Sequence, residues 1–414
     1  MQRYFAKYYH SYLESLVDFL IPKDKKFFRL GISVPPDLNK KYDYLVVSDK
    51  LGFVYDVQTY LSEAKKIVGE DGRIVITQYN ALWEPVLRLA SMFGLRKTLN
   101  IEQNWLSLYD IENLANLAGL EVVKKGTKML LPIYVPIIST LINRFLANIF
   151  PFSRMGIFHY IVLKKTDPVL ESKKNSSFSI IVPARNEMGT IEKIVQELPS
   201  LGEFTEIIFI EGNSTDNTYA EIERVALKYK EQKRIKYGKQ KGKGKGDAVR
   251  MGFDMATGDI LSIYDADMTV PAEEMKKFYS TIVQGQADFV NGSRLVYPLE
   301  KDSMRVLNLI ANKLFSLAFS YLLGQRLKDT LCGTKVLWRK DYESIKSNRS
   351  FFGDFDPFGD YDLLFGAAKL NLKIIDLPIH YKERAYGVTN ISRFRHGWLL
   401  LKMVVFAARK IKFI

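Results

Sequence analysis

The hydrophobic pattern of residues 1–165 predicts strands that alternate with helices. Tyr, Phe and Leu recur at helical spacing in residues 1–20, which predicts an amphipathic helix that packs on a domain or lies on a membrane. Helical periodicity also predicts helices at residues 56–68 and 105–118. Short apolar runs predict strands at residues 25–33, 42–48, 73–78, 121–123 and 158–163, the last two forming a returning hairpin. Alternating strands and helices indicate an α/β layer.

Residues 129–152 form an unusually apolar segment interrupted by Pro132, Pro136 and Pro151. The pattern fits a buried helical hairpin or a segment that dips into a bilayer surface. The polar residues 166–177 predict a linker. We therefore expect an N-terminal domain at residues 1–165 and a second domain at residues 178–394.

Two buried strands of the second domain are each followed by polar residues. The strand that starts at residue 178 runs into Pro183, Arg185 and Glu187, and the strand at 207–210 ends in Glu211 and Ser214. Ligands bind at the carboxyl edge of open α/β sheets. Glu211 can hydrogen-bond a ribose or a base edge, and Ser214 or the nearby Asp216 can cap the next helix.

A further buried strand, residues 260–264, delivers Asp265 and Asp267 at its end. On a turn, two such carboxylates can converge on one divalent cation that holds a diphosphate, whereas the simpler alternative is a solvated turn. Lys and Gly alternate in residues 238–247, where the backbone can approach an anion that Lys neutralises. A nucleic-acid patch is the competing interpretation, but interleaved aromatic residues are missing.

Four ordered motifs carry a family resemblance. They read PARNE, EGNSTDNT, GKGDAVRMGF and ATGDILSIYDADMTVP, and residues 178–394 resemble glycosyltransferase family 2, the inverting GT-A fold. The resemblance implies that Asp265 and Asp267 bind Mg²⁺ or Mn²⁺ and the diphosphate of a nucleoside-diphosphate sugar. It implies that a further set of residues lines the nucleotide site: Pro183, Arg185, Glu187, Glu211 and Ser214.

Two features of this resemblance leave alternatives open. Glu211 and Gly212 stand where the family has two aspartates, so the sequence does not decide between UDP- and GDP-linked donors. Lys245 and Arg250 lie near the phosphates or only brace the fold.

The rest of the domain resembles the polyprenyl-phosphate branch of the family. Arg294, an amphipathic helix at residues 304–325 and Asp329 follow in that order, and the helix rests on a membrane or merely covers the sheet. Asp329 stands where family members place their candidate base. A lipid phosphate is already ionised near neutral pH and does not need a base. Two roles are therefore open for Asp329: it abstracts a proton, or it only positions neighbouring groups. Arg294 and Arg384 are expected to anchor phosphates.

Two C-terminal stretches add further candidates. Asp360, within residues 352–369, is an acceptor-site candidate, although helix capping explains most carboxylates there. Residues 395–414 are apolar on one side and basic on the other. That pattern suits an amphipathic helix that lies on anionic lipid or docks on the protein.

A second resemblance concerns the N-terminal domain. YDYLVVSD, the helix after it, GEDGRIVITQYN and the final hairpin resemble the C-terminal half of a class I S-adenosylmethionine-dependent methyltransferase. The glycine-rich loop of that family is absent, and the chain between Gly31 and Tyr44 is too short for the missing βαβ unit. We expect a partial Rossmann-like, methyltransferase-like scaffold that binds no S-adenosylmethionine.

Composition narrows the class of protein. A chain of 414 residues with 47% hydrophobic content predicts two folded domains. The net charge of +14 favours an anionic partner, and no recognised nucleic-acid module is present.

A single cysteine, Cys332, suits a reducing cytoplasm. Charges throughout residues 1–20 argue against a signal peptide, and the apolar runs are short of a membrane span. We therefore expect a cytoplasmic protein, peripheral at the inner face of the cell membrane.

The sequence thus predicts a metal-dependent inverting glycosyltransferase. Asp329, Asp265 and Asp267 are its catalytic candidates, and a polyprenyl phosphate is the expected acceptor. The alternatives are transfer to a nascent glycan or another lipid, or a non-catalytic protein that binds nucleotide sugars.

Overall fold

The computed structural model describes residues 2–34, 40–93, 103–166, 173, 175–297, 306–349, 359, 361–384 and 393–413. The chain divides into two compact units. The first unit comprises Met1–Asp167, Lys369–Asn371 and Ile411–Ile414. The second comprises Pro168–Ala368 and Leu372–Lys410. The predicted linker lies partly outside the described residues, and Asp360 lies wholly outside them.

The first unit is built on a five-stranded sheet with the order β1-β2-β3-β5-β4. Its strands are β1 (Phe27–Arg29), β2 (Tyr42–Ser48), β3 (Val68–Tyr79), β4 (Leu120–Lys128) and β5 (Phe158–Lys165). β1, β2 and β3 are parallel, whereas β5 is antiparallel to both β3 and β4. The predicted alternation and the returning β4–β5 pair are therefore confirmed.

Five α-helices of the first unit are described. They are α1 (Gln2–Leu20), α2 (Val57–Ile67), α3 (Glu84–Met92), α4 (Leu108–Leu117) and α5 (Ile138–Arg144). The Asp56 carboxylate accepts a hydrogen bond from the Thr59 amide and so caps α2. The apolar face of α1, including Leu13 and Val17, is buried in a core that also contains β-strand residues. The packing interpretation of residues 1–20 is thus the correct one.

Residues 129–152 do not form the helical hairpin that was one of two expectations. The seven-residue α5 is accompanied only by single helical turns at Leu146–Asn148 and Phe152–Arg154. The prolines explain the interruption, because proline removes an amide donor and breaks a helix.

The second unit contains a seven-stranded sheet with the order β12-β10-β11-β9-β6-β7-β8. Its strands are β6 (Phe178–Ala184), β7 (Thr205–Glu211), β8 (Arg234–Lys239), β9 (Ile260–Ile263), β10 (Phe289–Ser293), β11 (Lys335–Trp338) and β12 (Ile374–Pro378). β9, β6, β7 and β8 are mutually parallel. β11 is antiparallel to β9 and β10, and β12 is parallel to β10.

Eight helices of the second unit are described. They are α6 (Ile191–Glu197), α7 (Thr218–Lys228), α8 (Lys245–Met255), α9 (Met275–Val283), α10 (Val306–Leu323), α11 (Arg339–Ser347), α12 (Tyr361–Lys369, whose last residue groups with the first unit) and α13 (Arg393–Ala407). A buried cluster that includes Phe178, Phe209 and Phe278 joins strands to α6, α7 and α9. No helix among the described residues has the length and apolar character needed to cross a membrane.

Candidate active site

The strand order of the second unit brings several chain segments to one edge of its sheet. β6, β7 and β9 are parallel and end at this edge. β11 runs the opposite way, with Val336 opposite Ser262, so the loop before β11 arrives where β9 ends. β10 and β12 also end there, since β10 is antiparallel to β11 and parallel to β12. Residues that follow β6, β9, β10 and β12, and those that precede β11, can therefore meet.

Asp265, directly beyond β9, forms an ion pair with the first residue of α8. Its Oδ1 lies 2.5 Å from Lys245 Nζ. Burial raises the pKa of Asp265, but the charge and the hydrogen bond of Lys245 outweigh it, so the pKa lies below its ordinary value. Gly333 approaches this pair so closely that a Cβ atom there would overlap Asp265 Oδ2 and Lys245 Nζ. The loop before β11 is therefore packed against the Asp265–Lys245 pair.

Asp267 is paired with a cation from a different element. Arg384 Nη2 donates to Asp267 Oδ2 at 2.9 Å, and Arg384 Nη1 donates to Glu187 Oε1 at 2.7 Å. The hydroxyl of Thr269 donates to Asp267 Oδ1 at 2.9 Å. Burial and the neighbouring charge of Asp265 raise the pKa of Asp267. Each carboxylate of the Asp-Ala-Asp turn thus has its own cationic partner.

Burial raises the pKa of Glu187 to about 7, although the charge of Arg384 opposes this shift. Glu187 follows β6, so Arg384 connects the end of that strand with the turn after β9. A group with this pKa exchanges protons near neutral pH, which is common at functional sites.

Side-chain hydrogen bonds join the polar residues that follow β6 and β7. Ser214 Oγ accepts from the Asn186 amide at 3.0 Å, and Asn186 Oδ1 accepts from the Thr215 amide at 2.8 Å. Glu211 accepts from the Ser214 amide. Ser214 therefore links two strand ends instead of capping α7, and Asp216 bonds the first amide of that helix.

Three predicted nucleotide-site residues have distinct surroundings. Pro183 lies on β6 opposite Ile210. Arg185 is exposed just beyond β6, beside Gly212, where a Cβ would lie 3.2 Å from Arg185 Cβ. The guanidinium of Arg250 lies 3.9 Å from Asp362, which also faces Arg349. Arg250 therefore faces the buried Asp362, and both roles expected for Arg250 stay predictions.

Asp329 is fully buried and saturated with hydrogen-bond donors. Its carboxylate accepts from Arg294 Nε and Nη2 at 2.7 and 2.9 Å and from Asn312 Nδ2 at 2.7 Å. The backbone amides of Arg294, Leu331 and Cys332 also donate to it. Burial raises its pKa, but Arg294 and the other donors hold the pKa far below its ordinary range.

This geometry does not support the expectation that Asp329 acts as a base. A carboxylate held ionised by these donors has little affinity for a proton near neutral pH. Arg294 spends its Nε and Nη2 groups on Asp329, so its predicted role as a phosphate anchor is not supported either. The pair instead fixes the loop that leads to Gly333.

Several residues of this region were not predicted from the sequence. Lys335 is fully buried at the start of β11 and donates to Asn291 Oδ1 at 2.8 Å and to the Cys332 carbonyl. Asn291 also donates to Asp376, whose pKa burial raises to about 6. A lysine at the head of the apolar run KVLW was the available signal, because buried lysines need partners.

The two carboxylates fit a divalent cation that is shared with a ligand. Among the described residues, no three His, Cys, Asp or Glu side chains converge as a metal cage. Mg²⁺ is commonly held by one or two carboxylates together with phosphates of the substrate, and that arrangement needs no such cage. Asp265 and Asp267 supply this donor set, and the cations already paired with them are suited to phosphate oxygens.

Comparison with known proteins identifies the second unit. A sequence profile of glycosyl transferase family 2 matches residues 179–345. The chain is 26% identical over 223 residues to glycosyltransferase AglJ of Haloferax volcanii, covering 53% of this chain and 68% of AglJ. It is 27% identical to the low-salt glycan biosynthesis hexosyltransferase Agl6 of the same organism, covering 54% of this chain but only 51% of Agl6.

Two further similarities cover a similar share of this chain. The chain is 26% identical to dolichol-phosphate mannosyltransferase of Pyrococcus furiosus, over 57% of this chain and 66% of that enzyme. Among solved structures, glucosyl-3-phosphoglycerate synthase from Mycobacterium tuberculosis aligns at 18% identity with a TM-score of 0.42, over 58% of this chain and 82% of the other. The profile match alone shows a glycosyl transferase family 2 domain in the C-terminal part of this chain, at residues 179–345.

Proposed function

We propose that this protein is a metal-dependent inverting glycosyltransferase of GT-A fold that transfers a sugar from a nucleoside-diphosphate sugar to a polyprenyl phosphate. The observation that carries the proposal is the double ion pair at the sheet edge, Lys245 with Asp265 and Arg384 with Asp267. Two carboxylates and two cations on three separate segments provide donors for a metal and for a diphosphate together. A domain of the matched family supports the reaction class.

Asp265 and Asp267 would hold Mg²⁺ or Mn²⁺. When bound, such a cation offsets the negative charge that develops on a departing diphosphate. Lys245 and Arg384 would exchange their carboxylate partners for phosphate oxygens, since a diphosphate offers the same kind of acceptor. Gly333 leaves room for this exchange, because any side chain at position 333 would overlap Asp265 and Lys245.

The chemistry of a phosphate acceptor agrees with the state of Asp329. Attack on the anomeric carbon from the face opposite the diphosphate inverts the configuration and needs no covalent enzyme intermediate. A phosphate monoester is already mostly ionised at pH 7, its second pKa being about 6. Such an acceptor does not require a strong base, and Asp329 is held ionised by Arg294 and Asn312. We assign Asp329 and Arg294 positioning roles.

Helix α10 supports a lipid acceptor. Its exposed side carries Ile310, Leu314, Leu317 and Tyr321. Its buried side carries Asn312, which bonds Asp329, and Ser316, which bonds the Lys328 carbonyl. One face thus contacts the candidate site while the other offers an apolar surface to an isoprenoid chain. Relatives named as dolichol-phosphate mannosyltransferase and dolichyl-phosphate beta-glucosyltransferase point to the same acceptor class.

A glycan or another lipid is the second candidate acceptor. The relative named as a low-salt glycan biosynthesis hexosyltransferase favours a glycan, and one named as beta-monoglucosyldiacylglycerol synthase favours a different lipid. A non-catalytic protein that binds nucleotide sugars is a further alternative, although the complete set of charged residues argues against it.

We also propose that the enzyme acts at the inner face of the cell membrane and that its first unit is a non-catalytic scaffold. Helix α13 buries Leu400 and Met403 and exposes Trp398, Leu401 and Val405, so it both docks on protein and presents an apolar surface. The strand order of the first unit, β1-β2-β3-β5-β4, agrees with part of a methyltransferase-like fold. In that interpretation β1 is the first of its parallel strands. We expect no S-adenosylmethionine to bind there.

Release of nucleoside diphosphate tests the proposed reaction. A panel of UDP- and GDP-sugars would be incubated with Mn²⁺ or Mg²⁺, with and without a polyprenyl phosphate. One donor should turn over only with both metal and lipid, and Asp267→Ala should abolish turnover while the exposed Glu231→Gln control retains it. Metal-dependent turnover that ignores the lipid would replace the acceptor. No turnover with any donor would favour a binding protein.

A further inference from the structure

Residues 129–156 of the first unit, here called the inverted segment, reverse the usual distribution of polar and apolar side chains. Five of its apolar side chains are more than half exposed: Tyr134, Ile137, Ile138, Leu141 and Phe150. Its buried polar side chains are Ser139, Asn143 and Asn148. In water this arrangement is unfavourable, because exposed aliphatic and aromatic side chains lose the free energy that burial provides.

The buried polar side chains satisfy the irregular backbone of the inverted segment. Asn143 Oδ1 accepts from the amides of Leu130 and Leu131, both at 2.9 Å, and Asn143 Nδ2 donates to the Leu131 carbonyl at 2.7 Å. Ser139 Oγ accepts from the Val135 amide at 2.5 Å. Backbone groups that are bonded within the protein do not need water. That condition must hold before a non-helical segment can enter an apolar phase.

Ile137 adds evidence that the local backbone structure does not require the exposed apolar side chains. Its φ angle is +66°, a conformation that β-branched residues rarely adopt. Its ψ angle is −52° and the Ile138 amide donates to the Pro136 carbonyl at 2.7 Å, so residue 137 is the centre of a γ-turn, a rare and strained conformation. An exposed, β-branched residue kept in this conformation suggests that its apolar side chain has a function of its own.

The apolar surface extends onto the next exposed helix of the same unit. Trp83 Nε1 donates to the Met155 carbonyl at 2.8 Å, which holds the start of α3 beside the inverted segment. Helix α3 has no buried residue, and its exposed apolar side chains include Val86, Leu89 and Met92. The surface is therefore larger than a single loop.

The charge around this surface indicates what covers it. Residues 122–166 contain seven Lys and Arg residues and no Asp or Glu. Lys124, Lys128 and Lys164 are buried, whereas Arg144 and Arg154 are exposed within the inverted segment. The guanidinium groups of Arg144 and Arg154 lie 5.8 and 5.2 Å from the ring centres of Phe145 and Phe150. Arginines beside exposed aromatic rings can reach lipid headgroups while the rings enter the acyl region. On α3, the carboxylate of Glu84 is paired with Arg88. A surface that is apolar and carries exposed arginines complements an anionic bilayer.

We propose that the inverted segment and α3 form a membrane-docking surface that inserts into the headgroup and outer acyl region of an anionic bilayer. The proposal does not rest on the proposed glycosyl transfer. It concerns the first unit only, and its test uses lipids that are not acceptors.

Sedimentation of the full chain with vesicles tests the docking surface. The vesicles would contain phosphatidylcholine with or without phosphatidylglycerol, and no polyprenyl phosphate. Wild-type protein should bind the anionic vesicles more strongly than the neutral ones. Ile137→Asn/Leu141→Asn should weaken that binding at least about tenfold, because two exposed apolar side chains no longer enter the bilayer. Leu117→Asn, which changes an equally exposed leucine on α4, should bind like wild type.

Thermal unfolding separates docking from misfolding. The double variant should unfold at nearly the same temperature as wild type, because neither Ile137 nor Leu141 is buried. Wild-type protein that ignores anionic vesicles, or a double variant that binds them like Leu117→Asn, would overturn the proposal. So would a wild-type dimer in size-exclusion chromatography with light scattering that the double variant dissociates, since the surface would then join two copies.

Discussion

Asp329 and Arg294 show how a buried ion pair can serve a site without taking part in proton transfer. Both side chains are almost inaccessible, and the carboxylate also binds Asn312 and three backbone amides. Removing one partner of a buried pair leaves the other charge uncompensated, whereas replacing both often costs little. The pair holds together the residue after β10, helix α10 and the loop before β11.

A double-mutant cycle distinguishes positioning from proton transfer. Asp329→Asn alone should lower the free energy of unfolding by about 3–5 kcal/mol, because Arg294 becomes an unpaired buried charge. Asp329→Asn/Arg294→Met should recover part of that loss. Denaturant titrations measure both effects. Additive losses would argue against the pair. So would Asp329→Asn protein of wild-type stability whose turnover loses a pH-dependent step near neutrality.

His159 on β5 makes the first unit sensitive to acid. It is buried, and burial lowers its pKa to about 4 from an ordinary value of 6.5. Between these values the unfolded chain binds a proton that the folded chain does not, so the free energy of unfolding falls as pH falls from about 6.5 to 4. The loss is complete below about pH 4 and amounts to at most about 3 kcal/mol.

Unfolding measured from pH 7 to pH 4 checks this prediction. His159→Gln should flatten the acid dependence, since glutamine does not titrate. His10→Gln, which changes an exposed histidine on α1, should keep the wild-type dependence. Equal acid dependence in wild type and His159→Gln would contradict the assignment.

At the same scale, the sequence placed some site residues better than others. Glu187, Asp265 and Lys245 could be expected near one another because they follow parallel strands or begin the next helix. The Arg384 contacts could not be expected. They depend on β12 pairing in parallel with β10, since Phe289 lies opposite Ile374, and local patterns do not specify such a long-range register.

Among the elements, β11 does most to shape the site. It is the antiparallel strand between β9 and β10, and its direction delivers the loop of residues 329–334 to the carboxyl ends of its neighbours. Gly333 lies in that loop, against the Asp265–Lys245 pair. The sequence analysis did not predict this four-residue strand, and hydrophobic patterns do not tell which way so short a strand runs, so this geometry required the structure.

Gly333→Ala tests the close approach of this loop. The added methyl group should separate Lys245 from Asp265 or move the loop, so nucleotide affinity in the presence of Mn²⁺ should fall at least about tenfold. Gly31→Ala is the matched control, because a Cβ there meets nothing within 4 Å. Calorimetric titration of both variants measures the effect, and unchanged affinity in Gly333→Ala would show that the loop is not part of the site.

The inverted segment shows a second limit at the scale of elements. Its apolar residues were evident in the sequence, but their periodicity could not reveal that Ser139 and Asn143 point inward while Ile138 and Leu141 point outward. Helical periodicity identifies two faces of a helix and does not tell which one is buried. The same limit applies to helix α10, because its Leu314 and Leu317 are exposed whereas its Asn312 is buried.

At the scale of the whole molecule, the two units should respond to different ligands. A ligand that binds only the folded state stabilises the unit that binds it. In scanning calorimetry, UDP or GDP with Mn²⁺ should raise the transition of the second unit and leave that of the first unchanged. The acid dependence that His159→Gln removes identifies the first unit's transition.

S-adenosylmethionine should raise neither transition, because the first unit begins with a short parallel strand and lacks the glycine-rich loop of the family it resembles. A shift of the first unit's transition with S-adenosylmethionine would show that the unit binds this ligand after all. The alternation of strands and helices and the returning hairpin could be expected from the hydrophobic pattern, whereas the extent of β3 and the irregular backbone after β4 could not.

Coupling between metal binding and nucleotide binding tests the proposed site at Asp265 and Asp267 most directly. Calorimetric titration of the full chain with UDP and with GDP would be performed without divalent metal and with saturating Mn²⁺. We predict that Mn²⁺ raises the affinity for one of the two nucleotides at least about tenfold, and that Asp267→Asn abolishes the gain. Equal affinity with and without the metal, in both wild type and Asp267→Asn, would contradict a shared metal–diphosphate site at Asp265 and Asp267.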